Sequence, residues 1–247
     1  MLRLVRTTAG LLLALAAITS VAHAAGSWWS PGDWGPTSYS VDSDSYGKYI
    51  WRGWTLDDQT VYQPTFELGY QPFKLTVCAT YCAQTTHNWS DVTYAFTYTN
   101  STPKFDWTVG HIWYVTNNKY NQAADPAALS TEFCFSCTAK ALPLYPTLSY
   151  FHDYDQGNGD YAQLTLTKYI PVGKKSLPWT LQTSFGYNVH QYRSVTGFSD
   201  WATSLEIPIK LGKQGPVIIP TLSYSKSLDN RFFADQFYAG IRMPWGG

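Results

Sequence analysis

The chain has 247 residues, of which 17% are aromatic and only 14% carry a charge. Soluble domains carry about 25% charged residues, so this composition is unusual for one of them. Basic and acidic residues balance at 17 each, which excludes a polyanion binder as the first hypothesis. Tyr and Trp prefer the boundary between a membrane and water, and their abundance predicts an aromatic girdle.

The N-terminus has the pattern of a cleaved secretory signal peptide. Arg3 and Arg6 form a positive start, residues 10–21 are apolar but too few to span a membrane, and residues 22–24 form an A-x-A cleavage site. We predict that residues 1–24 are a signal peptide. Its removal takes away two of the 17 basic residues and no acidic one, so the mature chain has a net charge of about −2.

Residues 25–36 are rich in Trp, Gly and Pro and show no period. We expect them to form a periplasmic lead-in, with Trp28, Trp29 and Trp34 either in the interface belt or in the barrel mouth. Residues 37–247 are then expected to form a single outer-membrane β-barrel.

The body of the chain alternates apolar and polar residues with a period of two, which is typical of strands with two different faces. From Phe73 to Cys82, for example, Lys, Thr and Cys occupy every second position. Most of the alternating segments have about ten residues, the length that a tilted strand needs to cross a bilayer. The pattern predicts twelve strands, with the spans 38–51, 60–70, 72–84, 91–100, 104–116, 130–139, 142–152, 160–170, 177–189, 200–211, 216–227 and 234–245.

The connections between these segments are alternately short and long. The short ones lie at 71–72, 101–103, 140–141, 172–176 and 212–215, and the long ones at 53–59, 85–90, 117–129, 153–159, 190–199 and 226–233. Outer-membrane barrels have an even number of strands, short periplasmic turns and longer extracellular loops. We therefore predict an all-β protein, an antiparallel transmembrane β-barrel of about 12 strands with both termini in the periplasm. A soluble β-sandwich or lipocalin-like barrel is the alternative, because its buried face would produce the same alternation.

One segment carries a family resemblance. Residues 45–53 (SYGKYIWRG), followed by an acidic loop and a Gln-Pro pair, resemble the opening of the TorF-type porin family, also called Gcw_chp, in which the first strand ends in S-x-Y-x-[WF]-R-G. A later hairpin, residues 147–161, is similar to the family too. The resemblance implies an outer-membrane barrel of pore type and no established substrate. The matching positions are Tyr49, Trp51, Arg52, Gly53, Gln63 and Pro64; the Gly47 insertion and the four cysteines are departures.

Strand alternation also predicts which charged residues line the lumen, if Phe73, Leu75 and Val77 face lipid. A Lys or Arg on the lipid face near the midplane costs about 2–4 kcal/mol, so an inward position is favoured. His111 and Lys168 break the rule. The predicted lumen residues are Asp42, Asp44, Lys48, Arg52, Gln63, Glu67, Lys74, Asp91, Asp106, Glu132, Glu206 and Arg242.

These charges have two interpretations. Rings of charge in a constriction select solutes. Alternatively, Lys48 and Arg52 pair with Glu67, and Arg242 pairs with Asp44, so that the charges fill the lumen and satisfy one another. Barrels of about eight strands are filled by side chains and those of sixteen or more hold an aqueous channel, so twelve strands leave both interpretations open.

Cys78, Cys82, Cys134 and Cys137 are candidate disulfide partners, because thiols exported to an oxidising compartment usually pair. A regular strand holds Cys78 and Cys82 about 13 Å apart, which forbids their bond. A Cys134–Cys137 bond requires a looped strand start, and a bond across the lumen requires a pinched barrel. Cys134-x-x-Cys137 lacks a second pair and a nearby His, so no metal site is predicted, and no other cofactor.

We expect a porin in the bacterial outer membrane that allows small solutes to diffuse passively through a narrow polar lumen. The alternative is a structural or surface-interaction barrel with a filled lumen. A lipid-modifying enzyme that uses His152 beside Asp153 and Asp155 is less favoured, because a lone His beside acidic loop residues is more often a solvated loop residue than a base. The expected partners are outer-membrane lipid and small solutes, without nucleic acid; the sequence leaves monomer and trimer open.

Overall fold

The computed structural model describes residues 37–82, 91–117, 127–173, 177–192, 196–212, 215–228 and 235–246. The predicted signal peptide and the predicted lead-in of residues 25–36 lie outside the described residues. Within the described ranges every regular element is a β-strand, and no helix there has the length and apolar character that crossing a membrane requires.

The strands are numbered in chain order. They are β1 (Thr37–Tyr46), β2 (Tyr49–Trp51), β3 (Trp54–Asp57), β4 (Val61–Tyr70), β5 (Phe73–Cys82), β6 (Asp91–Ser101), β7 (Phe105–Asn117), β8 (Ala127–Ala139), β9 (Thr147–Asp153), β10 (Gly159–Ile170), β11 (Trp179–Val189), β12 (Thr196–Glu206), β13 (Ile209–Lys210), β14 (Val217–Ser227) and β15 (Gln236–Gly246).

Twelve of these strands form one closed antiparallel barrel, which confirms the predicted fold. Each wall strand pairs with the next wall strand along the chain, and β12 pairs directly with β14. The wall closes where β1 pairs with β15 on one side and with β4 on the other. The short strand β13 adds to one edge of β14, while β2 and β3 form a separate hairpin.

The two faces of this wall have the opposite polarity to a soluble protein. Fully buried apolar side chains are few among the described residues, whereas many buried positions hold Asp, Glu, Asn, Ser or Thr. The outward positions carry large apolar side chains, as in the row Phe73, Leu75 and Phe96, which are 38–47% exposed. Soluble monomers rarely expose such a continuous apolar surface to water. The wall therefore matches a barrel with a lipid-facing exterior and a polar lumen.

The two ends of the barrel differ. At one end, here called the short-turn end, brief connections such as Gln71-Pro72 join neighbouring strands, and β1 begins and β15 ends there. The other end, the long-loop end, carries the connections from β1 to β4, β5 to β6, β7 to β8 and the later long loops.

The predicted first strand, 38–51, is wrong in its second half. The wall strand β1 ends at Tyr46, which pairs with both Gly240 and Val61. The chain then turns into the lumen as the hairpin β2–β3, and Arg52 and Gly53 reverse its direction with left-handed φ angles of 48° and 75°. Tyr49 and Trp51 therefore alternate because they belong to a second, two-stranded sheet inside the barrel and not to the wall.

Candidate functional site in the barrel lumen

The hairpin of residues 49–57 crosses the long-loop half of the lumen and is anchored on strands far from β1. The Tyr49 hydroxyl donates to Asp91 Oδ2 on β6 at 2.7 Å. Gly53 lies against Asp200 on β12 so closely that a Cβ on Gly53 would be 2.6 Å from the Asp200 Cβ. Just before the hairpin, the Lys48 ammonium donates to the Gln236 side chain on β15. Several sides of the barrel therefore hold the hairpin.

Arg52, at the tip of the hairpin, forms a two-bond ion pair with Glu132 on β8. Its Nη1 and Nη2 donate to Glu132 Oε1 and Oε2 at 2.6 and 2.8 Å. Glu132 is fully buried, and it also accepts hydrogen bonds from the Tyr114 hydroxyl and the Gln191 amide. A buried ion pair is stable only when its remaining polar atoms are satisfied, and these additional donors satisfy the Glu132 carboxylate.

Aromatic rings surround the same guanidinium. Arg52 Cζ lies 4.4, 4.5 and 4.6 Å from the ring centroids of Trp51, Phe151 and Tyr161, within the range of cation–π attraction. Tyr192 packs edge-on against Trp51. Burial raises the pKa of Tyr192 above its ordinary value, so its hydroxyl stays neutral.

Little space remains around the tip of the hairpin. The cavity beside Arg52, Trp54 and Tyr192 has a volume of about 10 Å³, which is at the lower limit for one water molecule. Hydrated solutes are larger than that, so this cavity itself does not hold them.

Below the hairpin the lumen widens into a cavity of about 320 Å³, here called the chamber. Its wall carries the amides of Gln63, Gln163 and Gln182 and several Ser and Thr hydroxyls. Lys48 and Glu206 are the charged side chains that line it. The volume is at the lower end of the range for small-molecule sites, so the chamber can hold a small polar solute.

Charged pairs also occur at and towards the short-turn end of the lumen. Lys74 Nζ contacts Glu67 Oε1 at 2.8 Å, and Lys140 Nζ contacts Asp106 Oδ1 at 2.7 Å. A three-residue cluster links three strands, because Arg242 on β15 lies 2.8 Å from Glu206 on β12 and 3.5 Å from Asp44 on β1.

The predicted lumen residues thus fall into two groups. The group on inward positions of the wall, by alternation with the exposed apolar residues, consists of Asp42, Asp44, Gln63, Glu67, Lys74, Asp91, Asp106, Glu132, Glu206 and Arg242. Lys48 and Arg52 belong instead to the hairpin segment, and the expected pairing of both with Glu67 is wrong. Lys48 bonds to Gln236 and Arg52 to Glu132, because the chain leaves the wall after Tyr46.

The positions of the family motif are also split. Tyr49, Trp51, Arg52 and Gly53 build the hairpin and its tip. Gln63 donates from β4 to the Thr80 hydroxyl on β5, and Pro64 occupies the next, outward position.

Three buried acidic residues were missed from the sequence. Asp57, Asp153 and Asp200 are at most 5% exposed, whereas the sequence pattern places the first two in loops and Asp200 at the start of a strand without a lumen role. Asp153 accepts a hydrogen bond from the Ser130 hydroxyl at 2.7 Å. The predicted strand ends at residue 152, one position too early. Asp153 has the same parity as Thr147 and Phe151, so a strand one residue longer places this carboxylate in the lumen.

The structure contradicts the candidate disulfides, because none of the four cysteines forms one. Cys78 and Cys82 lie on one regular strand, β5, where alternation keeps them far apart. Cys134 and Cys137 are three positions apart within β8, so they point to opposite faces of the wall. β6 and β7 separate β5 from β8 in the sheet, and no pinching brings the two pairs together.

His111 and His152 lie on the outward face. His111 Nδ1 is 3.1 Å from the Tyr154 hydroxyl, and an aromatic groove of about 380 Å³ borders its ring. His152 Nδ1 is 2.8 Å from Asp160 Oδ1. Among the described residues, Asp160 makes the polar contact of His152 and Tyr154 makes its ring contact.

The closed wall, its apolar exterior and its polar, partly obstructed lumen define a transmembrane type of β-barrel. No protein-family model matches the sequence, and no curated protein matches it in sequence.

Solved structures of porins have a similar fold. The KdgM porin in complex with disordered oligogalacturonate is 10% identical, with a TM-score of 0.49, and the match covers 84% of this chain and 96% of that one. The outer membrane protein OprD and OccK5 (OpdH), both from Pseudomonas aeruginosa, are 10% and 9% identical, with TM-scores of 0.39 and 0.40. This chain spans 65% and 62% of their lengths, and the matches cover 85% and 82% of this chain.

Proposed function

We propose that this protein is a narrow porin of the bacterial outer membrane, in which small solutes diffuse through the lumen and the β2–β3 hairpin forms the constriction. One observation carries the proposal. A chamber of about 320 Å³ lined by polar side chains lies inside the barrel, directly below a hairpin whose tip is held by Arg52 and Glu132. A barrel that served only as a rigid scaffold would have no need of a polar chamber behind an ion-paired hairpin.

The outer-membrane location rests on the inverted polarity and on export by the predicted signal peptide. Aromatic side chains are exposed on the outer face near both ends of the wall, as expected for two interfacial girdles. Tyr39 and Trp245 are 58% and 53% exposed at the short-turn end, and Tyr62 and Phe237 are 44% and 77% exposed at the long-loop end. We place the short turns in the periplasm, the long loops outside and the chain in the TorF-type family.

The lumen charges favour cations and neutral solutes over anions. Among the described residues, the acidic side chains of the lumen and hairpin outnumber the basic ones, because Asp57, Asp91, Asp153 and Asp200 add to the carboxylates that pair with Arg52, Lys74 and Arg242. An excess of one sign along a narrow pore repels ions of the same sign.

The decisive experiment removes the hairpin without disturbing the wall. Tyr46 and Val61 are register partners in the β1–β4 pair, so residues 47–60 can be replaced by Asn-Gly, which forms a tight two-residue turn. In planar bilayers we expect small, cation-preferring conductance from the natural protein and a several-fold larger conductance from the variant. Asn-Gly in place of residues 102–103 at the short-turn end is the matched control and should leave the conductance unchanged.

The filled barrel is the second candidate, because the Arg52–Glu132 cluster is closely packed. It predicts a natural protein that never conducts and a hairpin-deleted variant that does. A folded natural protein without conductance would overturn the porin proposal, and absence of conductance from both proteins would also show that the hairpin is not the obstruction. The salt gradient in the same recordings tests the charge argument, since an anion-selective reversal potential contradicts it.

A further inference from the structure

The chamber has an organised polar wall that the constriction does not use. Register pairs align Thr165 with Ser184 across β10 and β11, and Gln182 with Ser204 across β11 and β12. Ser204 is in turn the partner of Ser223 on β14. Four adjacent strands therefore present a continuous band of hydroxyl and amide groups, each of which can both donate and accept a hydrogen bond.

Much of this band has its hydrogen-bonding capacity free. Within the described chain, the side chains of Gln182, Ser184 and Ser204 make no hydrogen bond with another protein group, although they line the chamber. By contrast, Gln63 and Gln163, which line other parts of it, bond to Thr80 and Tyr161. The free groups lie together on β11 and β12, so they can act jointly on one solute.

Tyrosine rings occupy the neighbouring part of the chamber. Tyr46 of β1, Tyr49 of the hairpin and Tyr238 of β15 line it. Aromatic faces attract the C–H groups of a solute whose polar groups point elsewhere, because the face of the ring carries negative charge density. The chamber thus combines apolar ring surface with a band of neutral donors and acceptors.

Its charges are balanced. Lys48 and Glu206, the charged side chains of the lining, have opposite signs. Lys48 is hydrogen-bonded to Gln236, and Glu206 is paired with Arg242. The chamber therefore offers no net charge to an ionic solute, and the acidic excess elsewhere in the lumen opposes an anion.

We infer that the chamber is a binding subsite for a neutral polyhydroxylated solute of the size of a mono- or disaccharide. Each hydroxyl of such a solute both donates and accepts, as the Gln182–Ser204 band requires, and its C–H faces fit the tyrosine rings. The inference rests on the proposed porin function only in that the solute reaches the chamber through the lumen.

Binding is measured on the folded, detergent-solubilised protein by saturation-transfer NMR, with sucrose as the probe and glucuronate as its anionic counterpart. We expect saturable transfer to sucrose and none to glucuronate. Gln182→Leu removes the free amide at nearly constant size, and a lost hydrogen bond should weaken sucrose binding by about two- to ten-fold. Ser204→Ala is the second, milder variant, and each must keep the heat-modifiable gel migration of a folded barrel.

Gln71→Leu, the same substitution at an exposed turn outside the chamber, is the matched control and should leave binding unchanged. Equal sucrose binding by the natural protein, Gln182→Leu and Ser204→Ala would overturn the inference, as would transfer to glucuronate as strong as to sucrose. Conductance without sucrose binding would contradict the subsite and leave the porin proposal standing. Sucrose binding by a protein that never conducts would support the subsite and contradict the porin proposal.

Discussion

The region around the hairpin and the chamber differ in packing and in charge, although the same barrel wall encloses both. Around the hairpin, Arg52 and Glu132 are buried with aromatic rings and almost no space is left. In the chamber, the lining is mostly neutral and a volume of about 320 Å³ remains. Buried charges need close partners that satisfy every polar atom. Neutral hydroxyls and amides can instead form their hydrogen bonds with a solute or with water. Around the hairpin, tight packing thus coincides with charge, whereas in the chamber open space coincides with a mostly neutral polar lining.

The largest expected effect comes from removing the charge of Glu132. In Glu132→Gln the Arg52 guanidinium loses the buried carboxylate of Glu132, and breaking such a pair costs about 3–5 kcal/mol. We expect the free energy of unfolding, measured by urea titration in lipid vesicles, to fall by that order. The hairpin should also leave its anchored position, so that conductance rises towards that of the hairpin-deleted variant. A variant with natural stability and natural conductance would show that the ion pair does not hold the hairpin.

An intermediate effect is expected at the tip of the hairpin. Gly53→Ala places a Cβ in a left-handed backbone at φ 75° and only 2.6 Å from the Asp200 Cβ. The backbone conformation costs about 1–2 kcal/mol, and overpacking adds about 1–3 kcal/mol. Thermal unfolding in detergent should show the loss as a lower midpoint temperature.

Gly212→Ala is the matched control for Gly53→Ala. Its φ of 79° is almost the same, but a Cβ there has no atom of the described residues within 4 Å. The difference between the two variants therefore isolates the contact with Asp200. Equal losses of stability would mean that the hairpin is not packed tightly against β12.

The smallest effect is expected near the short-turn end, from the same chemical change as in Glu132→Gln. Glu67→Gln removes a pair with Lys74 whose two side chains are 30% and 45% exposed. Solvent-exposed pairs contribute about 0–1 kcal/mol, so the urea midpoint should move little and conductance should stay near the natural value. A loss as large as that of Glu132→Gln would contradict the contrast between the two halves.

The wall could be predicted from the sequence because lipid imposes a strict alternation on every strand. The residue types of Phe73 and Lys74 indicate which of them faces lipid and which faces the lumen, and the alternation of short and long connections indicates the number of strands. Even His111, which breaks the alternation, lies on the outward face that its parity demands, with Tyr154 as its polar partner.

The hairpin could not be predicted in this way. Tyr49, Trp51 and Arg52 continue the alternation of β1, and local pattern does not distinguish a strand in the wall from one inside the lumen. The partners that decide the matter, Glu132 and Asp200, are 80 or more positions away. The same limitation explains why the sequence pairs Arg52 with Glu67 instead of Glu132. Arg242 lies beside Asp44 as alternation predicts, because closure of the barrel makes β1 and β15 neighbours.

The seam between β1 and β15 has a consequence for the order of folding. Ser40 pairs with Gly246, and Tyr46 packs against Gly240, where a side chain would collide with its ring. Contacts between such distant positions form late, because their loop-closure entropy must be overcome first. Until β15 docks, β1 has an unpaired edge that invites mispairing. The hairpin precedes most of the wall in the chain and is therefore enclosed by strands that are synthesised after it. The lumen is separated from lipid only when β1 and β15 have paired.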